Sequence, residues 1–114
     1  MDRRSIPFID KIVNTIVSTV APDKIILFGS YTRGDFRKNS DIDILILKKG
    51  LKNGRDITKR LYMSFFNQKI SMPIDLIAMD YEKFNQLNDD IGYIYKTIKQ
   101  EGIIIYKQNN EQLV

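Results

Sequence analysis

Residues 24–47 read KIILFGSYTRGDFRKNSDIDILIL, so that two apolar runs flank a polar segment. The first run, 24–28, is short, rich in β-branched residues and continuously apolar, and it stops at Gly29; this is typical of a strand buried on both faces. The second run, 41–47, alternates before it becomes fully aliphatic and predicts another strand. We expect a loop over 29–40, whose first residues start a short helix.

Two aspartates, Asp41 and Asp43, open the second run. Side chains two residues apart share one face of a strand, which places these carboxylates about 6–7 Å apart along the backbone. Like charges on a half-buried strand destabilise the fold unless a cation neutralises them, and oxygen ligands suit Mg²⁺ or Mn²⁺. The alternative is a surface strand whose polar face carries two aspartates. The alternation puts Leu45 and Leu47 on the aspartate face and Ile42, Ile44 and Ile46 on the other.

The polar segment has the composition of a phosphate-binding loop. Gly29 permits a tight turn and a close approach to a ligand, Ser30 adds a hydroxyl, and the N–H groups of a helix start favour an anion. The same loop contains a second glycine and three cationic residues, namely Gly34, Arg33, Arg37 and Lys38. A phosphate cradle that faces a carboxylate metal site is what a nucleoside triphosphate with Mg²⁺ requires. The alternative is a polar turn without a ligand.

A third aspartate, Asp75, lies in the apolar run IDLIAM at 74–79, which predicts another strand. A carboxylate between aliphatic neighbours is costly unless it is paired, metal-bound or at an edge. If this strand lies beside the strand of Asp41 and Asp43, the three carboxylates form a cluster. Two metals about 3.5–4 Å apart would then hold an in-line displacement at phosphorus. The alternative is a strand-end aspartate exposed to water.

The composition narrows the possible chemistry further. The chain has 114 residues, which predicts a single domain over 1–114 with a core at about 6–106 and a frayed tail over 107–114. Cysteine and histidine are absent, which excludes disulfides, thiol nucleophiles, Ser-His-Asp triads and metal sites built on these ligands. No apolar run approaches the roughly 20 residues of a membrane span, so we expect a cytoplasmic protein.

The rest of the chain alternates helices and strands. The apolar periodicity predicts helices at about 6–20 and 55–68, a helical turn over 81–84 capped by Asp80, a helix capped by Asn88, and a strand over 103–106. Helical spacing assigns Tyr62, Phe65 and Phe66 to core packing. The predicted fold class is α/β (α+β), with a mixed sheet of about four strands flanked by helices.

The motif Gly29-Ser30, ten residues, then Asp41-x-Asp43, followed by the strand of Asp75, resembles the minimal nucleotidyltransferase (MNT) branch of the DNA-polymerase-β-like superfamily. The resemblance covers about residues 6–106. It implies the polymerase-β-like nucleotidyltransferase fold. It also implies that Gly29 and Ser30 bind the triphosphate of ATP and that Asp41 and Asp43 bind two Mg²⁺ ions. Asp75 would bind the second metal or the acceptor hydroxyl, and Arg33 would contact a phosphate.

We expect no helical acceptor domain of the kind that kanamycin-type nucleotidyltransferases add. The chain resembles the MNT antitoxins that are paired with a HEPN protein, an all-helical RNase toxin. This resemblance implies that AMP passes from ATP to a tyrosine of the HEPN partner, whereas direct nucleic-acid binding is not expected. Two alternatives stay open: an antitoxin that acts by steric binding with a vestigial site, and an enzyme that modifies a small molecule such as an aminoglycoside.

Overall fold

The computed structural model of the chain describes residues 6–34, 40–87 and 93–108. It confirms an α/β fold in which helices flank a mixed sheet. In chain order the described elements are the helix α1 (Ile9–Val20), the strand β1 (Lys24–Phe28), the helix α2 (Ser30–Arg33), the strand β2 (Ile42–Lys48), the helix α3 (Gly54–Asn67), the strand β3 (Ile74–Asp80), the helices α4 (Tyr81–Gln86) and α5 (Tyr93–Glu101), and the strand β4 (Ile103–Lys107).

The described strands form one sheet in the order β3-β2-β1-β4. Strand β1 runs antiparallel to β2 and β4, whereas β2 and β3 run parallel and are connected through α3. Phe28 therefore pairs with Asp43, and Asp43 in turn pairs with Asp75. The end of β1 and the beginnings of β2 and β3 consequently meet at one side of the sheet.

Each face of the sheet carries its own apolar cluster. Ile42, Ile44 and Ile46 of β2 belong to the cluster that packs with α1 and α3. Leu45 and Leu47 belong to the opposite cluster, which includes residues of α4 and α5. The faces predicted from the alternation in β2 are therefore confirmed, and β1 is buried on both faces as predicted.

Helix starts follow local capping. The Asp80 carboxylate accepts a hydrogen bond from the Lys83 N–H at 3.1 Å, so that the predicted cap of α4 is confirmed. Asn53 caps α3 in the same way, through the Asp56 N–H at 3.1 Å. Helix α1 begins at Ile9 rather than at residue 6, because Phe8 has a left-handed backbone with φ of 62°.

The predictions for the end of the chain concern a frayed tail over 107–114 and a helix cap at Asn88. Strand β4 continues through Lys107, and the Gln108 N–H donates to the Asp23 carbonyl at 2.9 Å, so the predicted frayed tail begins too early. The remaining tail residues and the predicted Asn88 cap lie outside the described residues.

The assignment of the α3 aromatic residues to the core is correct for one residue only. Phe65 is buried, but Phe66 is 78% exposed and Tyr62 is 40% exposed. Successive residues are rotated by about 100° around a helix. When Leu61 and Phe65 face the core, Tyr62 and Phe66, the next residues, therefore lie on a different side of α3. None of the helices within the described ranges is long and apolar enough to cross a membrane.

Candidate active site

The site begins where β1 ends, at a glycine that contacts a carboxylate. Gly29 has a φ of 83°, a left-handed backbone that favours glycine. A Cβ atom built on Gly29 would lie 2.1 Å from Oδ2 of Asp43. The chain therefore needs glycine here both for its backbone conformation and for the close approach of Asp43.

The residues after Gly29 turn immediately into α2, as the sequence predicted. The hydroxyl of Thr32 donates to the Gly29 carbonyl at 2.7 Å, and the Thr32 N–H donates to the same oxygen at 3.0 Å. The Gly34 N–H then closes the turn on the Ser30 carbonyl at 3.1 Å. Ser30 is half-buried at the start of this turn. The other predicted cations of the loop, Arg37 and Lys38, lie outside the described residues.

Two of the three aspartates lie in the parallel strands β2 and β3, and the third lies directly before β2. Asp43 and Asp75 are partners in the register of β2 and β3, and neighbouring strands lie about 4.8 Å apart. Asp43 is half-buried, whereas Asp75 is exposed as the second residue of β3. Asp41 is exposed and directly precedes β2. The strand of Asp75 therefore lies beside the strand of Asp43, as the proposed carboxylate cluster requires.

The charges of these aspartates are coupled. Burial first, and then the negative charges of Asp75 and Asp41, together raise the pKa of the Asp43 carboxyl from its usual 3.8 to about 6. The positive charge of Arg33 acts in the opposite direction. Among the described residues, two carboxylates raise the pKa of Asp43 and Arg33 lowers it. The electrostatic field at Asp43 is therefore mainly negative. Such a field favours the binding of a cation.

The donor set fits a hard divalent ion, although the side chains as placed do not enclose one. All three predicted ligands offer carboxylate oxygens, which Mg²⁺ prefers. Among the residues that the structure describes, no three acidic side chains are gathered closely enough to hold a metal ion. Like charges repel each other at short range, so a bound cation would have to draw the three carboxylates together.

Arg33 connects the loop to the end of α5. Its Nη1 lies 3.9 Å from Oε2 of Glu101, and both side chains are partly exposed. Its positive charge also lowers the pKa of Asp43, so the two side chains interact electrostatically. This pair could not be predicted from the sequence, because the two residues are far apart in the chain and neither belongs to a periodic pattern.

Tyr62 is a second residue that sequence reasoning missed at this site. Its hydroxyl accepts a hydrogen bond from the Leu76 N–H at 2.8 Å. Strand β3 lies at the margin of the described sheet, and Leu76 directly follows Asp75. Burial raises the pKa of Tyr62. The hydrogen bond from Leu76 lowers this pKa, and the negative charges of Asp75 and Asp41 raise it. Tyr62 thus fixes the strand beside Asp75.

With this geometry established, the comparisons with known proteins identify the family. The model of the family described as the nucleotidyltransferase domain matches residues 9–105. The chain belongs to the nucleotidyltransferase domain family. This confirms the family and the enzyme class that the Gly29-Ser30 and Asp41-x-Asp43 motifs predicted.

Curated relatives of this nucleotidyltransferase occur in Methanocaldococcus jannaschii. Two of its proteins have names that assign them provisionally to the protein adenylyltransferases. One is 35% identical over 85 residues, which cover 73% of this chain and 77% of the relative. The other is 56% identical over a stretch that covers 29% of this chain and 36% of the relative.

Solved structures share the fold of this nucleotidyltransferase. A chain of a toxin–antitoxin crystal structure with AMP-PNP superimposes with a TM-score of 0.64 at 19% identity, and the match covers 91% of this chain and 77% of that chain. A second structure is described as the tri-AMPylated Shewanella oneidensis HEPN toxin in complex with MNT antitoxin. It matches with a TM-score of 0.58 at 16% identity and covers 91% of this chain and 73% of that chain. At these identities the likeness establishes the fold.

Proposed function

We propose that this nucleotidyltransferase uses Mg²⁺ to transfer AMP from ATP to a hydroxyl group of a HEPN partner protein, a tyrosine hydroxyl above all, and thereby acts as its antitoxin in the cytoplasm. The register of Asp43 with Asp75, together with the contact of Gly29 against Asp43, carries the proposal. The names of the curated relatives support a protein as acceptor. The AMPylated HEPN toxin of the structural neighbour supports the kind of partner.

ATP binds through its triphosphate at the loop after β1. Gly29 leaves the backbone open to a close approach, and Ser30 adds its hydroxyl at the start of α2. Arg33 contributes positive charge and contacts a phosphate. Because Gly29 contacts Asp43, the phosphates on this loop come to lie beside the aspartates.

The aspartates hold the metal in this proposal. Asp41 and Asp43 are the ligands on the side of β2, and Asp75 is the ligand on the side of β3. Bound Mg²⁺ supplies positive charge to the triphosphate and makes the acceptor hydroxyl more acidic. The raised pKa of Asp43 is consistent with such a site, because its ionised form becomes favourable when a cation is present.

The transfer is a substitution at the α-phosphorus of ATP. The acceptor hydroxyl oxygen forms a bond to this phosphorus, and the bond between the phosphorus and the oxygen that bridges to the β-phosphate breaks. Pyrophosphate leaves with the electron pair of the broken bond. The acceptor proton passes to the exposed carboxylate of Asp75 and from there to water. Positioning and charge neutralisation provide most of the acceleration.

The decisive experiment incubates the chain and its HEPN partner with Mg²⁺ and ATP labelled in the α-phosphate. We expect label on the partner and a mass increase of one or more adenylates. The double variant Asp41→Asn with Asp43→Asn should abolish the label, whereas Asp56→Asn, a change at an exposed carboxylate of α3, should not.

Other outcomes separate the alternatives. Inhibition of the HEPN partner without ATP and without a mass increase would indicate steric binding. Label on an aminoglycoside but not on the protein would indicate a small-molecule acceptor. Undiminished transfer by the double variant would overturn the site itself.

A further inference from the structure

Helix α3 carries an exposed apolar face that its own domain does not cover. We call the set Lys59, Tyr62, Met63 and Phe66 the outer face of α3; these residues line a depression of about 440 Å³. Met63 is 62% exposed and Phe66 is 78% exposed. Large apolar side chains that lie together in water are typical of a surface that binds another protein.

The spacing of this face fits a helical partner. Its members follow each other at i, i+3, i+4 and i+7, which forms one ridge along the helix. The inner stripe of α3, with Ile57, Leu61 and Phe65, is already buried in the core. A helix of a globular domain usually has one apolar stripe, and a second one gives a ridge into which another helix can pack.

The outer face of α3 reaches the edge strand that carries Asp75, although α3 packs on the sheet face opposite to that of Asp43 and Leu45. Tyr62 belongs to this face, and its hydroxyl accepts the Leu76 N–H at 2.8 Å. Leu76 follows Asp75, the residue that receives the acceptor proton in the proposed reaction. A protein that is seated on the outer face and extends around the edge of β3 can therefore present a side chain at Asp75.

The charges at the rim indicate the chemistry of the occupant. Lys59 lines the depression itself, and Lys69 lines a second depression of about 480 Å³ that shares Phe66 with the first. Arg60 of the same helix lines neither depression and is paired with Asp56 at 3.5 Å, so the two lysines carry the positive charge of the rim. A basic rim around an apolar centre is complementary to an apolar helix flanked by carboxylates.

We propose that the outer face of α3 docks the acceptor protein, through an apolar helix with an acidic rim on the HEPN partner, and so delivers its tyrosine to Asp75. This inference rests on the proposed function, because it takes the acceptor to be that protein. It adds the surface that binds the partner. Partner binding is thereby assigned to the outer face of α3 and AMP transfer to the aspartates.

The test measures docking without chemistry. The double variant Asp41→Asn with Asp43→Asn is titrated with the HEPN partner in the absence of ATP, alone and in combination with Phe66→Glu or Met63→Glu. We expect each glutamate to weaken binding about tenfold or more, since it places an unpaired charge in an apolar contact. The matched control is Ile104→Glu, at a 53% exposed isoleucine of β4, which should leave the affinity unchanged.

A second measurement follows the reaction in the active chain. Phe66→Glu should lower AMP transfer to the partner at limiting partner concentration but leave calorimetric binding of Mg²⁺ and ATP unchanged. Circular dichroism and thermal unfolding show that each variant is folded. Lys59→Glu should also weaken docking, and its effect should shrink at high salt.

The results distinguish the two proposals. Equal partner binding by Phe66→Glu, Met63→Glu and the unchanged chain would overturn the docking surface and leave the proposed function intact. Docking that depends on Phe66 without any AMP transfer by the active chain would overturn the proposed function alone. No binding of the partner by the unchanged chain would also overturn the docking proposal. A homodimer that Phe66→Glu dissociates in sedimentation would assign the face to a second copy instead.

Discussion

Gly29 and Asp43 lie so close together that even a methyl group on Gly29 would collide with the carboxylate of Asp43. Gly29 directly follows β1, and Phe28, the last residue of that strand, pairs with Asp43 of the antiparallel neighbour β2. The turn that is proposed to bind phosphate and a proposed metal ligand are thus in direct contact, and the position of one determines the position of the other.

This contact predicts a large effect of Gly29→Ala. The new Cβ would displace Asp43 and strain the backbone, so we expect AMP transfer to fall by about tenfold or more, since small displacements of reacting groups are costly. Gly34→Ala is the matched control: Gly34 also has a positive φ, 79°, but a Cβ there has no atom within 4 Å. It should cost about 1 kcal/mol of stability without a comparable loss of activity. Equal losses in both variants would contradict a specific role of the contact.

The shifted pKa of Asp43 predicts a pH-dependent stability in metal-free buffer. The folded chain binds this proton more tightly than the unfolded chain, so the ionised carboxylate destabilises the fold as the pH rises from 3.8 through about 6. Asp43→Asn should therefore raise the melting temperature at pH 7 but not at pH 3.5. We expect about 1 kcal/mol, because water screens this half-buried group.

Calorimetry in EDTA checks this prediction, and a titration with Mg²⁺ extends it. Added Mg²⁺ should stabilise the unchanged chain and not Asp43→Asn. If Asp43→Asn were less stable than the unchanged chain at pH 7 without metal, the repulsion inferred among the aspartates would be wrong.

Loss of Arg33 is predicted to affect the KM for ATP more than the stability of the fold. Arg33→Met should raise the KM for ATP, because it removes a positive charge that acts on Asp43 and is proposed to contact a phosphate. Its effect on stability should stay below about 1 kcal/mol, since Arg33 and its partner Glu101 are both partly exposed. Glu101→Gln is the control, because it removes the carboxylate and keeps Arg33. A larger rise in KM for Glu101→Gln than for Arg33→Met would exclude the phosphate role of Arg33.

The hydrogen bond between Leu76 and Tyr62 predicts a local effect of Tyr62→Phe. This variant keeps the ring and removes the acceptor, so the Leu76 amide should exchange its hydrogen with solvent faster. Loss of one such hydrogen bond costs about 1 kcal/mol. We also expect a lower kcat with little change in the KM for ATP, because Asp75 loses its support and the phosphate loop does not. Unchanged exchange at Leu76 would contradict this role.

Strand positions and their faces were predictable because a period of two leaves a direct trace in the sequence. The alternation in 41–47 assigned Asp43 to the face of Leu45, which the two clusters confirm. The register of Asp43 with Asp75 was not predictable, because it depends on how α3 returns the chain to the sheet. The sequence allowed the two strands to be neighbours but could not place these residues opposite each other.

Helix α3 marks another limit of sequence reasoning. Helical spacing shows which side chains share a side, but it cannot tell which side meets the core when two apolar stripes are present. Phe65 lies on the core side and Phe66 on the solvent side, although the sequence alone gives them equal hydrophobicity. The hydrogen bond between the Tyr62 hydroxyl and the Leu76 N–H could not be predicted either, because it depends on which side of α3 meets the sheet.

The phenol of Tyr62 has one more consequence. Outermost strands offer free backbone groups to which a foreign polypeptide can add itself, and this is a common route to aggregation. At Leu76 the outward N–H is already occupied by the chain's own side chain. An invading strand would first have to displace this ring, so that the residue next to Asp75 is protected from the kind of association that would bury the reaction centre.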